Sequence, residues 1–152
     1  FNHHRSPSRD RTPWNIAERT GDERVLPLVR DAVRLRERLV PYLAAAASDS
    51  IASDRPLMRP LFFTAPRDEN VWSAPVSWTL GDDILVAPVL EPGRAELDVY
   101  LPAGGWTDAW TGERVEGGRT VSVPTPIDRI PVFVREGAAV TAVFAEDDDV
   151  RP

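Results

Sequence analysis

Three kinds of side chain in this sequence could act on a substrate: two histidines, a scatter of aspartates and five tryptophans. Paired carboxyl groups flanking one bond are one route to hydrolysis without a metal. Asp82 and Asp83 are the adjacent pair, but neighbours on a strand point to opposite faces and cannot clasp one bond together. A turn or strand start suits them better. Asp10, Asp22 and Asp108 have no obvious carboxylate partner. His3 and His4 are the only histidines, so a histidine metal site would need ligands the chain hardly offers. With no cysteine, disulfides, zinc ribbons and thiol catalysis are excluded. No phosphate-cradling glycine loop, nucleophile-elbow serine or metalloprotease helix motif occurs. Trp72, Trp78, Trp106 and Trp110 could serve as stacking platforms for a ligand, yet aromatics among alternating strand residues more often pack in a core or along a sheet edge. These residues alone make no complete active site.

The elements that must position them change character along the chain. Residues 1–21 are polar and carry Pro7 and Pro13, which reads as a loop. From Asp22 to about Ser48, Val25, Leu28, Val29, Ala32, Val33, Leu39, Val40 and Leu43 recur at mostly three- and four-residue spacing and predict one amphipathic helix. Asp22 is its candidate N-cap, Pro27 falls near the first turn, and Pro41 should kink it. After about residue 55, short apolar runs are punctuated by Pro and Gly, which predicts strands. These are Leu57–Phe63, Ile84–Val89, Glu96–Leu101 with Leu97, Val99 and Leu101 inward, Thr120–Val123, and Ile130–Arg135. The stretches 102–105 and 111–113 read as tight turns between them. The result is an α+β chain whose strands form a small antiparallel sandwich.

Composition bounds the function. The 152 residues include 15 prolines and 28% charged side chains, which argues against a long helical bundle. The 18 basic residues, all Arg, against 24 acidic ones give a net charge of −6. A nucleic-acid partner calls for the opposite sign. No apolar run is long enough to span a membrane. Glu146-Asp147-Asp148-Asp149 forms an acidic, solvated tail over 143–152. Lacking an initiator Met and an apolar signal region, Phe1-Asn2-His3-His4-Arg5 reads as the middle of a longer gene product. The absence of cysteine is compatible with a cytoplasmic protein. Oligomeric state leaves no mark here.

The order of the motifs is more specific than their chemistry. Asn2-His3-His4 is followed by Thr12-Pro13-Trp14, Arg38-Leu39-Val40-Pro41-Tyr42-Leu43 and Arg59-Pro60-Leu61. Then come Leu80-Gly81-Asp82-Asp83 running into Ile84–Val89, Val99-Tyr100-Leu101-Pro102 with Trp106 and Asp108, and Ile130-Pro131-Val132-Phe133-Val134-Arg135-Glu136-Gly137. This series resembles the C-terminal part of the family 31 glycoside hydrolases, the α-glucosidases and α-xylosidases, over residues 1 to about 142.

The resemblance implies a fold and a role. Residues 1–50 would be the last loop and last helix of a (β/α)8 catalytic barrel, and 55–142 the proximal antiparallel β-sandwich. The parent would be a retaining α-glycosidase acting on an oligosaccharide or other α-glycoside, with no cofactor and no metal. Its two catalytic aspartates would precede Phe1, so this chain would carry no catalytic residue and be inactive alone. One substrate-binding residue carries over: His3, ten residues before Pro13, stands where the family places a histidine on the sugar hydroxyls. The chain departs from the family at Phe1, where an Arg is usual. It departs again at Ala74-Pro75-Val76-Ser77-Trp78, where many relatives carry an Asp-x-Gln step. The other reading is a non-catalytic β-sandwich module that binds or supports carbohydrate.

Overall fold

The computed structural model describes residues 5–6, 9–10, 12–73 and 76–145. The chain divides into two compact units, 1–38 and 39–152.

In the first unit, β1 (Arg5–Ser6) pairs antiparallel with β2 (Arg9–Asp10). Two helices follow, α1 (Pro13–Thr20) and α2 (Val25–Arg38), packed on each other. Helix α1 lies where the sequence read as loop. Its start and stop signals are local: Pro13 sits in the first turn, where a missing N–H costs nothing. Gly21, at φ +68°, takes the left-handed position that closes the last turn, its N–H bonding to Ala17 O at 2.8 Å. Asp22 is not the cap of α2. Its carboxylate accepts from the Arg24 backbone N–H at 3.0 Å and pairs with the Arg24 guanidinium, so it shapes the turn ahead of Val25.

The single kinked helix expected over 22–48 is two helices, because α2 stops at Arg38 and α3 runs from Val40 to Ser53. Pro41 explains the break. It has no N–H to give to a carbonyl four residues back, whereas in the first turn of a new helix that donor is not needed. Asp54, at φ +53°, ends α3 in the left-handed region.

The rest of the second unit is β3 (Met58–Pro60), α4 (Leu61–Thr64), α5 (Asn70–Ser73), β4 (Trp78–Leu80) and β5 (Ile84–Val86). It continues with β6 (Glu96–Leu101), β7 (Gly105–Asp108), β8 (Arg114–Glu116), β9 (Arg119–Pro124), β10 (Val132–Arg135) and α6 (Thr141–Ala145). A six-stranded sheet runs β3-β4-β5-β10-β7-β8, and β6 pairs with β9 in a second sheet; every pairing is antiparallel. Both sheets feed one core. Leu85, Trp106 and Phe133 come from the large sheet, Val99, Leu101 and Val123 from the small one, and Leu61 and Val71 from α4 and α5. Trp106 is fully buried; its indole N–H donates to Pro102 O at 2.8 Å, and the Arg135 guanidinium lies 4.5 Å above the ring.

Val99 and Leu101 point inward as the alternation predicted, and Leu97 is half-buried. Tyr100 is buried as well, as part of the same core, and its hydroxyl donates to Asp68 at 2.6 Å. The run 57–63 is only partly strand: β3 ends at Pro60 and α4 follows. The stretches at 102–104 and 111–113 do turn, the first leading into the short strand β7, whose first residue is Gly105, and the second into β8; pattern reading marked neither strand. Asp108 works inside the second turn, accepting from the N–H groups of Trp110 and Thr111 at 2.8 and 3.0 Å. No helix among the described residues is long and apolar enough to cross a membrane.

Candidate functional site

His3 and His4 lie outside the described residues, as does the acidic run 146–149. The built polar site is instead a cavity of about 190 Å3 between α3 and the β4–β5 turn. Tyr42, Ala45, Ala46 and Asp49 recur at the spacing that puts them on one face of α3, and that face forms one wall. Arg59 of β3 and the turn Gly81-Asp82-Asp83 form the other.

Each of these residues is held for a stated reason. The burial alternation along β3 turns Arg59 inward, leaving it 2% exposed. Its Nε donates to Pro56 O at 2.6 Å and its Nη1 pairs with Asp82 Oδ1, which also takes Arg55 Nη2 at 3.2 Å. A buried guanidinium needs such partners, since an uncompensated charge would cost several kcal/mol. Tyr42 reaches across from α3: its hydroxyl donates to Leu80 O at 2.8 Å and accepts from Asp83 N–H at 3.3 Å. Gly81 makes that reach possible. It sits at φ +64°, and a Cβ there would collide with Tyr42 Oη. Burial pushes the Tyr42 phenol above its ordinary range, against the pull of the Asp83 amide. Burial first, then the neighbouring Asp82 charge, raises the Asp83 carboxyl, while Arg135 opposes the rise.

This arrangement joins α3 to the sheet. Asp82 is committed to two arginines, and Tyr42 is committed to the turn it docks on. The adjacent aspartates therefore act as turn residues, in keeping with their sequence reading. No group of three or more His, Cys, Asp or Glu side chains suited to a metal occurs among the described residues. Sequence reasoning found Asp82 and Asp83 but missed Tyr42 and Gly81 as their partners. An aromatic hydroxyl 38 residues from its acceptor leaves no local pattern.

The tryptophans divide by environment. Trp106 is core, Trp78 is half-buried, and Trp110 is half-buried with its N–H on Ile130 O at 2.7 Å and its ring edge-on to Phe144. Trp72 departs from the packing expectation. It is 64% exposed and lies stacked on Phe62, with ring centroids 4.8 Å apart.

Residues 54–140 match the model of the glycosyl hydrolase family 31 C-terminal domain. The chain belongs to glycosyl hydrolase family 31. It is 54% identical over 135 residues to the 1,3-alpha-isomaltosidase of Kribbella flavida, covering 89% of this chain and 18% of that protein. It is 35% identical over 129 residues to the isomaltosyltransferase of Sporosarcina globispora, covering 85% of this chain and 12% of that one. The cycloalternan-degrading enzyme of Trueperella pyogenes, solved in complex with isomaltose, superposes with a TM-score of 0.83 at 45% identity, over 91% of this chain and 20% of its own. This family 31 chain thus spans less than a fifth of the length of the curated relatives it matches.

Proposed function

We propose that this family 31 chain is the C-terminal part of a retaining α-glycosidase that cleaves α-linked glucosides through a covalent glycosyl-enzyme intermediate. The observation that carries the reading is the 54% identity to a 1,3-alpha-isomaltosidase across 89% of the chain.

In this reading residues 1–50 complete a (β/α)8 barrel, with α2 and α3 together standing as its last helical segment, and 55–142 form the proximal sandwich. The two catalytic carboxyls belong to the barrel. The segment's own share is support: a two-sheet core, and the joint in which Tyr42 holds α3, and the buried Arg59 holds β3, to the β4–β5 turn. His3 is assigned to the sugar hydroxyls beside the reacting carbon, where a neutral imidazole both donates and accepts. Such contacts tighten as the sugar ring flattens in the transition state.

Kinetics of the complete enzyme test this. Losing one buried hydrogen bond to substrate costs ~1–3 kcal/mol, so His3→Ala should lower kcat/KM roughly ten- to a hundred-fold while thermal stability holds. His4→Ala should change it less. Wild-type kinetics for His3→Ala would withdraw the assignment.

A further inference from the structure

We propose that the cavity between α3 and the β4–β5 turn binds a neutral vicinal diol, such as one edge of a single sugar residue presents. The site stands on its own geometry; only the choice of an α-glucoside as its ligand rests on reading the parent as an α-glycosidase.

Size sets the scale of the ligand. The volume of about 190 Å3 far exceeds the ~10–15 Å3 that one water needs, and falls short of the ~300–1,000 Å3 of a pocket for a drug-sized molecule. It suits one small ring. Ala45 and Ala46 line the α3 wall with methyl groups, against which ring C–H groups can pack.

Three polar groups on the lining keep capacity after the joint has formed. The Asp49 carboxylate takes no hydrogen bond or ion pair from the described residues. Asp83 is fixed by its backbone, where its N–H donates to Tyr42 Oη and its carbonyl accepts from Arg135 N–H at 2.8 Å, while its carboxyl accepts no hydrogen bond from the described residues. The third group is buried. Arg59 uses Nε on Pro56 O and Nη1 on Asp82, and Nη2 has no partner among the described residues. Arg59 is 2% exposed and lines the cavity, and Nη2 is not sealed, so its hydrogens open into that space. A guanidinium nitrogen held inside without an acceptor is costly, and a ligand oxygen would satisfy it.

Charge selects the ligand. An anion would face the carboxylates of Asp49 and Asp83. A cation would lie beside Arg59, with Arg55 on the same Asp82 oxygen, and the acids form no group suited to a metal among the described residues. A neutral hydroxyl meets both demands, since it donates to a carboxylate and accepts from Nη2. Two adjacent hydroxyls can serve two of these groups at once. Burial, then the Asp82 charge, disfavours the ionised Asp83 carboxyl, and a hydroxyl donating to it would relieve that penalty.

Saturation-transfer difference NMR with methyl α-D-glucoside tests the site on the protein from the complete reading frame. An epoxide inactivator first esterifies the catalytic carboxylate, so that no sugar is turned over. The sugar signal should persist and saturate with a Kd on the order of 1–10 mM, as a few hydrogen bonds to one small ring would give. Asp49→Ala removes an acceptor and Ala45→Phe fills the space; each should cut the signal at least fivefold. Both residues are exposed on α3, so thermal unfolding midpoints should hold. An unchanged signal in both variants would overturn the proposal. So would displacement of the sugar by an equal concentration of methylammonium, the mark of a cation site. An active enzyme whose sugar signal vanishes on inactivation overturns the site and leaves the enzyme reading standing. A signal that both variants abolish, in a protein without glycosidase activity, does the reverse.

Discussion

Replacing Gly81 by Ala strains the joint between α3 and the sheet in two separable ways. The residue sits at φ +64°, where an L side chain costs about 1 kcal/mol. Its new Cβ would also collide with Tyr42 Oη and expel the hydroxyl from Leu80 O and Asp83 N–H. Each of those hydrogen bonds is worth ~0.5–1.5 kcal/mol net, and Tyr42 is only half-buried, so losing both costs roughly 1–2 kcal/mol. Gly81→Ala should therefore destabilise by ~2–3 kcal/mol and Tyr42→Phe by ~1–2 kcal/mol. The double variant should cost about 1–2 kcal/mol less than their sum, because once the hydroxyl is gone the collision has nothing to displace. Urea unfolding of the 152-residue chain, followed by tryptophan fluorescence, measures all four corners of the cycle. Strict additivity, within ~0.3 kcal/mol, would refute the claim that Gly81 is there to admit Tyr42.

Other expectations follow from the same geometry. Asp82→Asn should destabilise more than Arg59→Met, by ~1 kcal/mol or more. The first leaves a guanidinium buried without its counter-charge, while the second leaves a carboxylate that is 60% exposed and still faces Arg55; equal losses in denaturation would contradict this. Trp106→Ala should cost ~3–5 kcal/mol in the same assay, since the ring is fully buried between the two sheets, and a loss under ~1 kcal/mol would show that the core is elsewhere. The pH dependence should carry two opposite signs. Asp83 has a raised folded pKa, so its contribution turns unfavourable as pH rises from the unfolded value through the folded one, and Asp83→Asn should stabilise at pH 7 but not at pH 3. The Tyr100 hydrogen bond lowers the Asp68 pKa, so its contribution is present above the unfolded value and lost as pH falls through the folded one. Asp68→Asn should then weaken the chain at pH 7 and flatten its acid limb, as urea midpoints across pH would show.

What could be read from the sequence was what repeats locally. The runs at 84–89 and 96–101 contain β5 and β6, because alternation and apolar continuity are properties of neighbouring residues. Helix α1 escaped notice because its face is short and polar; only Thr12-Pro13 and Gly21, a start and a stop, mark it. The division at Leu39 was half visible, since Pro41 announced a disturbance but not that a new helix would absorb it. The joint was less legible still. Asp82 and Asp83 stood out as a pair, but their partners Arg59 and Tyr42 arrive from other elements, and only the folded register of β3 with β4 brings them together. Trp72 shows the converse. A tryptophan in this segment was expected to pack, and it is the short helix α5, absent from the strand pattern, that carries it outward.

Purified side by side, the 152-residue chain and the protein encoded by the complete reading frame test the central claim most directly, with isomaltose and chromogenic α-glucosides as substrates. The account predicts that the complete protein cleaves them with the α-anomer as first product, and that the chain alone releases nothing above buffer. Turnover by the chain itself, surviving removal of trace contaminants, or a complete protein with no α-glucosidase activity, would contradict it.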